Sequence, residues 1–169
     1  ALLSPITIGN MRLPNRVIMA PLTRLRSADT TGVKSGVGGN ATALMAEYYS
    51  QRASAGMIIT EATDISPDAK GYAGAPAIYN DEQIQAWRQV TDSVHQAGGR
   101  MGMQLWHTGL VSHASLQPGQ AKPMSASAVD LGTKSRTSLK DSDGNLYRDA
   151  TTPTRAMSQF EIHQVVDDF

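Results

Sequence analysis

The sequence contains no cysteine, which removes disulfide frameworks, thiolate metal ligands and cysteine nucleophiles together. It also lacks an excess of either charge, since Lys plus Arg and Asp plus Glu each number 15. A surface that reads nucleic acid through its phosphates needs a basic surplus, so that class is set aside. No apolar run approaches the roughly 20 residues that cross a bilayer. The opening residues, Ala1-Leu2-Leu3-Ser4-Pro5, have neither a basic region nor a long apolar stretch, so no secretory signal is read there. What is left is a cytoplasmic α/β protein with no membrane or nucleic-acid partner. Its 169 residues are enough for one domain with a real core. The last residues, Glu161 to Phe169, read as a helix with neither a closing Gly nor a following Pro. The chain is therefore expected to be part of something longer.

Punctuation and periodicity divide the chain into alternating elements. Ile6 to Leu13 alternates around Gly9-Asn10 and predicts a hairpin. Arg16 to Pro21 is a continuous apolar run stopped by proline, as in strands buried on both faces. The stretch from Ser27 to Asn40 is loop-like. Thr42 to Ala55 then carries apolar residues at helical spacing, with Asn40 or Thr42 as cap and Gly56 as stop. Met57 to Ala62 predicts a second buried strand. Asn80 with Gln83 forms a capping box that opens a helix to about Ala97, its inner face lined by Ile84, Trp87, Val90, Thr91 and Val94. Trp87, Tyr48 and Tyr49 are assigned to the core between helices and strands. Arg100 to Trp106 predicts a third strand. A long Gly- and Ser-rich excursion follows, within which Ser138 to Tyr147 reads as a hairpin with Asp143-Gly144 at its turn. Ser158 and Glu161 open the final helix.

Strands alternating with helices imply a parallel sheet, either doubly wound or the start of a (β/α)8 barrel. Both place their chemistry at the carboxyl ends of the strands. Those ends offer Pro21-Leu22-Thr23-Arg24, Glu61-Ala62-Thr63 and Gln104-Leu105-Trp106-His107. There is no G-x-S-x-G elbow, no H-E-x-x-H and no acid pair. A hydroxyl, a carboxamide, small residues and aromatics suit a flat heteroaromatic ring, since a Gln amide both donates and accepts and so matches an imide edge. The hard chemistry would then belong to a cofactor. The same residues also fit plain structural duties: Thr23 as a turn cap, Gln104 as a satisfied core amide, Tyr72 and Trp106 as packing. His107 and His113 have no ligand spacing, so no metal is expected. Gly32 to Asn40 matches no phosphate-cradling motif, and Asn40-Ala41-Thr42 is a glycosylation triplet without meaning outside secretion.

These residues also carry a resemblance. Asn15 to Arg24, Glu47 to Thr63, Ala69 to Pro76, Gln104 to Gly109 and Ser112 to Pro118 are similar, in order, to motifs of the Old Yellow Enzyme family, and within it to bacterial pentaerythritol tetranitrate and N-ethylmaleimide reductases. The resemblance implies an α/β fold, the N-terminal part of a (β/α)8 TIM barrel. It would comprise about three β/α units over residues 1–169 of a single barrel domain, with an N-terminal hairpin and a hairpin excursion after the third strand. It implies FMN as cofactor and NADPH or NADH as reductant. The substrate would be a small electron-poor alkene such as an enone, maleimide or nitroalkene, with nitrate esters as a further class. By motif, Pro21, Leu22, Thr23, Ala62 and Gln104 would bind FMN. Thr23 would also tune its reactivity as a catalytic residue, and Tyr72 and Trp106 would wall the substrate pocket. By the same resemblance, the family's further substrate-binding residues, proton donor and phosphate loops would lie beyond Phe169. A complementary C-terminal barrel segment, on the same or a second chain, is therefore an expected partner, and the isolated piece is expected to be inactive. Three departures stand out: Leu110 where the family has Arg, Ala77 in place of a common Gly, and a longer Gly-rich segment over Thr30 to Asn40. A non-catalytic half-barrel that serves as an assembly module, and another flavin barrel of the dienoyl reductase or dihydroorotate type, remain as alternatives.

Overall fold

The structure is a computed structural model that describes residues 1–28 and 39–169. The Gly-rich segment singled out above lies almost wholly outside the described residues. β1 (Ile6–Ile8) and β2 (Met11–Leu13) pair antiparallel as the predicted hairpin, with Gly9 at φ 56° in its turn. The centre of the molecule is a parallel sheet in the order β3-β4-β5, made of Ile18–Met19, Met57–Asp64 and Met101–Trp106. Two helices, α1 (Ala43–Ser50) and α2 (Asp81–Gln96), form the connections between these strands. Their buried side chains Met45, Tyr49, Trp87, Val90 and Val94 enclose Ile58 of β4. The alternation of strand and helix read in the sequence is the alternation observed.

Several boundaries differ, each for a local reason. The first central strand pairs only at Ile18 and Met19 rather than over Arg16 to Pro21, because Pro21 has no amide hydrogen to extend the ladder. Helix α1 stops at Ser50 instead of Ala55. Its tail tightens into i to i+3 bonds, with the Arg52, Ala53 and Ala55 amides donating to Tyr49, Ser50 and Arg52. Gly56 serves close packing rather than helix termination, since a Cβ there would collide with the Asn15 carbonyl oxygen. On α2 the buried stripe runs through Gln83, Trp87, Val90 and Val94, whereas Ile84 is exposed. Gln83 is drawn inward because its side-chain oxygen accepts the Tyr79 amide at 2.9 Å, one residue before the cap, while Asn80 accepts from the Gln83 amide at 2.9 Å. Asn80→Ala is expected to cost about 1 kcal/mol in urea unfolding, the usual worth of such a cap.

After β5 the chain makes its excursion. β6 (Met124–Ser125) pairs parallel with β9 (Arg155–Ala156), and β7 (Arg136–Lys140) pairs antiparallel with β8 (Leu146–Ala150). The Asp141 carboxylate accepts the Asp143 and Asn145 amides, and Gly144 takes φ 83°, so the turn forms where Asp-Gly placed it. Helix α3 (Gln159–Asp168) begins with a complete capping box between Ser158 and Glu161. Among the described residues no helix is long and apolar enough to cross a membrane.

Candidate active site

Parallel pairing brings the carboxyl ends of β3, β4 and β5 to one end of the sheet. A shift in register after Ile59 sets Ala62 opposite Gln104, Thr63 opposite Leu105 and Asp64 opposite Trp106. Thr23 lies beyond the end of β3, and its neighbour Arg24 donates its amide to Glu61 Oε2 at 3.2 Å. Thr23, Ala62 and Gln104 are therefore gathered at a single mouth. Thr23 and Gln104 are exposed, Leu22 is 63% exposed and Pro21 is half-buried. Ala62 is only 2% exposed, so β4 can reach a ligand there only through a sliver of the methyl and its backbone.

The end of β4 is held by a buried carboxylate. Glu61 is fully buried; Oε1 accepts the Tyr49 hydroxyl at 3.1 Å and the Arg24 guanidinium at 3.3 Å. Tyr49 in turn accepts the Glu61 amide at 2.9 Å. Burial, reinforced by the adjacent carboxylate, pushes the Tyr49 phenol above its ordinary range, so it stays protonated and donates. The Arg24 guanidinium also lies 3.3 Å over the Tyr48 ring, which Arg52 approaches at 3.7 Å. This knot fixes the segment that bears Thr23.

Tyr72 and Trp106 meet face to face, with ring centroids 5.6 Å apart and planes 18° from parallel. The excursion braces Tyr72. Thr137 of β7 donates to the Gly71 carbonyl, and the Ala73 amide donates to Ser138 at 2.8 Å. Trp106 donates its indole N–H to Asp64 Oδ1 at 2.5 Å. Asp64 is fully buried, and its Oδ2 has no hydrogen-bond partner among the described residues. Burial pushes its carboxyl up to about 7 against the opposing pull of Lys70 and the indole N–H. Asp64 lies one residue past the strand end Glu61-Ala62-Thr63 marked in the sequence, where the visible signal is a carboxylate continuing an apolar strand.

The raised acidity constant gives Asp64 a definite linkage. The folded state keeps a proton that the unfolded chain releases between about pH 4 and pH 7, so this group's contribution to stability falls as pH rises through that window. His107, which burial holds below its usual value, contributes the opposite slope below about pH 6.5. Glu161, held down to about 2 chiefly by its Arg155 hydrogen bond, loses its contribution only as pH falls below about 4.5. The expected result is that Asp64→Asn gains stability relative to wild type as pH rises from 5 to 7.5, read as the difference between their urea midpoints. A constant difference would contradict it.

The two histidines set aside as metal ligands are engaged locally. His107 Nδ1 accepts the Gly109 amide at 3.0 Å, and His113 Nδ1 lies 2.7 Å from the Ser115 hydroxyl. A separate groove of about 610 Å3 runs along the free side of β3 against α1, lined by Val17, Met19, Leu22, Tyr48, Arg52 and Ala55 among others. It shares only Leu22 with the predicted site residues.

The sequence pattern of the NADH:flavin oxidoreductase / NADH oxidase family matches residues 1–169. The chain belongs to this family. Among Old Yellow Enzyme-type members it is 38% identical over 169 residues to 12-oxophytodienoate reductase 1 of rice, Oryza sativa subsp. japonica, covering 99% of this chain and 39% of that protein. Morphinone reductase, solved in complex with tetrahydroNAD, superposes with a TM-score of 0.87 at 42% identity, covering 99% of this chain and 43% of that one. The old yellow enzyme homologue of Zymomonas mobilis superposes at 0.84 with 36% identity, covering 99% and 42%. The chain thus spans about two fifths of the length of the relatives it matches. The architecture is the N-terminal part of an Old Yellow Enzyme TIM barrel, as the motifs implied.

Proposed function

We propose that the chain supplies the first three β/α units of a single barrel domain that reduces activated C=C bonds with FMN and a nicotinamide reductant. The observation that carries this reading is the state of two polar side chains at the mouth. Among the described residues nothing hydrogen-bonds the Thr23 hydroxyl or the Gln104 carboxamide, though both lie at the end of the sheet where such folds work. That donor and acceptor set fits an isoalloxazine, whose imide edge complements the two-sided Gln104 amide.

FMN, when bound, supplies the hydride chemistry between nicotinamide and alkene. The protein's part is placement. The Pro21-Leu22 segment and the end of β4 would offer the ring a surface, and Gln104 would hold it through its two-sided amide. Thr23 would donate a hydrogen bond to the bound cofactor and so alter its electron density. Tyr72 and Trp106 hold a planar enone, maleimide or nitroalkene over the ring, the arrangement a hydride transfer needs. Nitrate esters, whose ONO2 group is planar and electron-poor, are a further substrate class for the same site.

The remaining barrel is the expected partner. Among the described residues β3 has an unpaired edge, Val17 and Ile18 are 41% and 43% exposed, and the groove beside them is lined mainly by apolar side chains with Asn15, Gln51, Arg52 and Ser54 among them. Such an edge calls for a covering strand. Mixing the chain with the complementary barrel segment of the same protein should give a yellow complex that oxidises NAD(P)H in the presence of cyclohexenone or N-ethylmaleimide. Robust turnover by the isolated chain would refute the need for the partner, and a colourless complex would refute the flavin. In the assembled protein, Gln104→Leu is expected to weaken FMN binding by about 10-fold or more, the worth of two hydrogen bonds, measured by flavin fluorescence.

A further inference from the structure

Asp64 is a costly residue to place where it stands. Its carboxyl is fully buried, and its strand neighbours are pinned on both sides, with Trp106 as register partner on β5 and Ala77 bridged on the other flank. Its backbone is tied by the Asp64 amide to the Pro76 carbonyl at 2.8 Å and by the Ile78 amide to the Asp64 carbonyl at 3.0 Å. A buried carboxyl so fixed needs compensation, and a principal partner is the indole N–H of Trp106 at 2.5 Å. An indole has a single donor, so this bond sets the rotation of the ring about its own axis. That rotation decides how Trp106 meets Tyr72, now 18° from parallel at 5.6 Å.

We propose that Asp64 is the positioning residue of the aromatic wall: it fixes the orientation of Trp106, and through it the Tyr72–Trp106 pair, so that the pair presents one shaped surface to a flat, electron-poor alkene. This rests on the reading that Trp106 walls the substrate pocket. Asp64 itself touches no substrate. An acceptor oxygen is what the role requires, so Asn can replace Asp and an aliphatic residue cannot. The charged and titratable groups that act on Asp64 are Lys70, whose charge opposes its protonation, and Tyr79, which feels its charge from the α2 approach.

The two tryptophans make the idea measurable without turnover. Trp87 donates its indole N–H to the Ala77 carbonyl at 3.1 Å, a neutral partner, whereas Trp106 donates to a carboxyl. In the FMN-loaded barrel that contains this chain, the two indole N–H resonances are recorded by nitrogen-15 NMR and assigned with Trp106→Phe. Wild type and Asp64→Asn should show a downfield, slowly exchanging Trp106 signal. Asp64→Leu should move it upfield and speed its exchange at least 10-fold, with KM for N-ethylmaleimide raised at least 5-fold and kcat changed less. An unmoved Trp106 signal in Asp64→Leu overturns the proposal. If Asp64→Leu does not fold, Asp64→Asn decides. The Trp106 signal should shift with pH through the neutral range in wild type and lose that shift in Asp64→Asn, and a titration that persists overturns the proposal. A shifted signal with unchanged KM keeps the Asp64–Trp106 pairing but removes Trp106 from the substrate pocket, so the two readings fail separately.

Discussion

Replacing Glu61 with alanine is expected to lower the stability of the protein by about 3–5 kcal/mol, more than any cap or surface change in the molecule. The reason is what would be left behind. Glu61 is fully buried and its two oxygens serve the Arg24 amide, the Arg24 guanidinium and the Tyr49 hydroxyl. Removing it strands a guanidinium only 16% exposed and a phenol inside the α1–β4 core. Breaking a buried pair from one side leaves an uncompensated charge, which costs far more than the intact pair contributes. Glu61→Gln keeps the shape and one of the two acceptor oxygens but loses the charge and sets an amide NH2 against a donor, so it should fall between wild type and alanine. The measurement is urea unfolding of the assembled protein, with flavin binding as a second reading. Because Glu61 anchors the amide next to Thr23, the alanine variant should also lose FMN affinity, and more for each kcal/mol of lost stability than Asn80→Ala does. An alanine variant within 1 kcal/mol of wild type would mean that the knot is ornamental.

The contrast between Glu61 and Thr23 explains how far a sequence can be read. Thr23, Ala62 and Gln104 fall together because strand ends are marked by local signals: Pro21 halting an apolar run, and small, polar and aromatic residues closing Met57 to Ala62 and Arg100 to Trp106. Parallel pairing then does the rest, since neighbouring strands must share an end. What brought the Glu61 knot together was a tertiary coincidence, a Tyr in the last turn of α1 reaching a carboxylate on β4. No periodicity announces that. Ile84 shows the same limit from another side. It sits at helical spacing with Trp87, yet the rotation of α2 is set by the Gln83 tie to Tyr79, which buries an amide and leaves the isoleucine out. The excursion was legible as a hairpin from Asp143-Gly144. Its purpose, bracing Tyr72 through Thr137 and Ser138, depends on contacts 66 residues apart in the chain.

That bracing leads to the second large effect, at Gly71. The carbonyls of Ala69, Lys70 and Gly71 are each taken by a segment that follows β5. Thr108 bonds Ala69 at 2.8 Å, Ser112 and Gln117 both bond Lys70 at 2.7 Å, and Thr137 bonds Gly71. The strand of chain that leads to Tyr72 is thus clamped three times in succession, and it packs so closely that a Cβ on Gly71 would lie under 3.0 Å from the Val111 carbonyl oxygen and from the Thr108 side chain. Backbone on one side and a hydrogen-bonded side chain on the other leave little room to yield. Gly71→Ala is therefore expected to destabilise by about 3 kcal/mol, at the upper end for overpacking. It should also displace Tyr72 from Trp106, visible as loss of the near-ultraviolet circular dichroism of the stacked pair while far-ultraviolet helix signal persists. Gly119, at φ 60° with nothing near its Cβ position, is the control. Alanine there meets only backbone strain of about 1–2 kcal/mol and should leave the aromatic signal intact. If both variants reduce that signal alike, general loosening is the cause; if only Gly71→Ala does, the loop after β4 is held to tolerance by the segments that follow β5, and the aromatic wall depends on them.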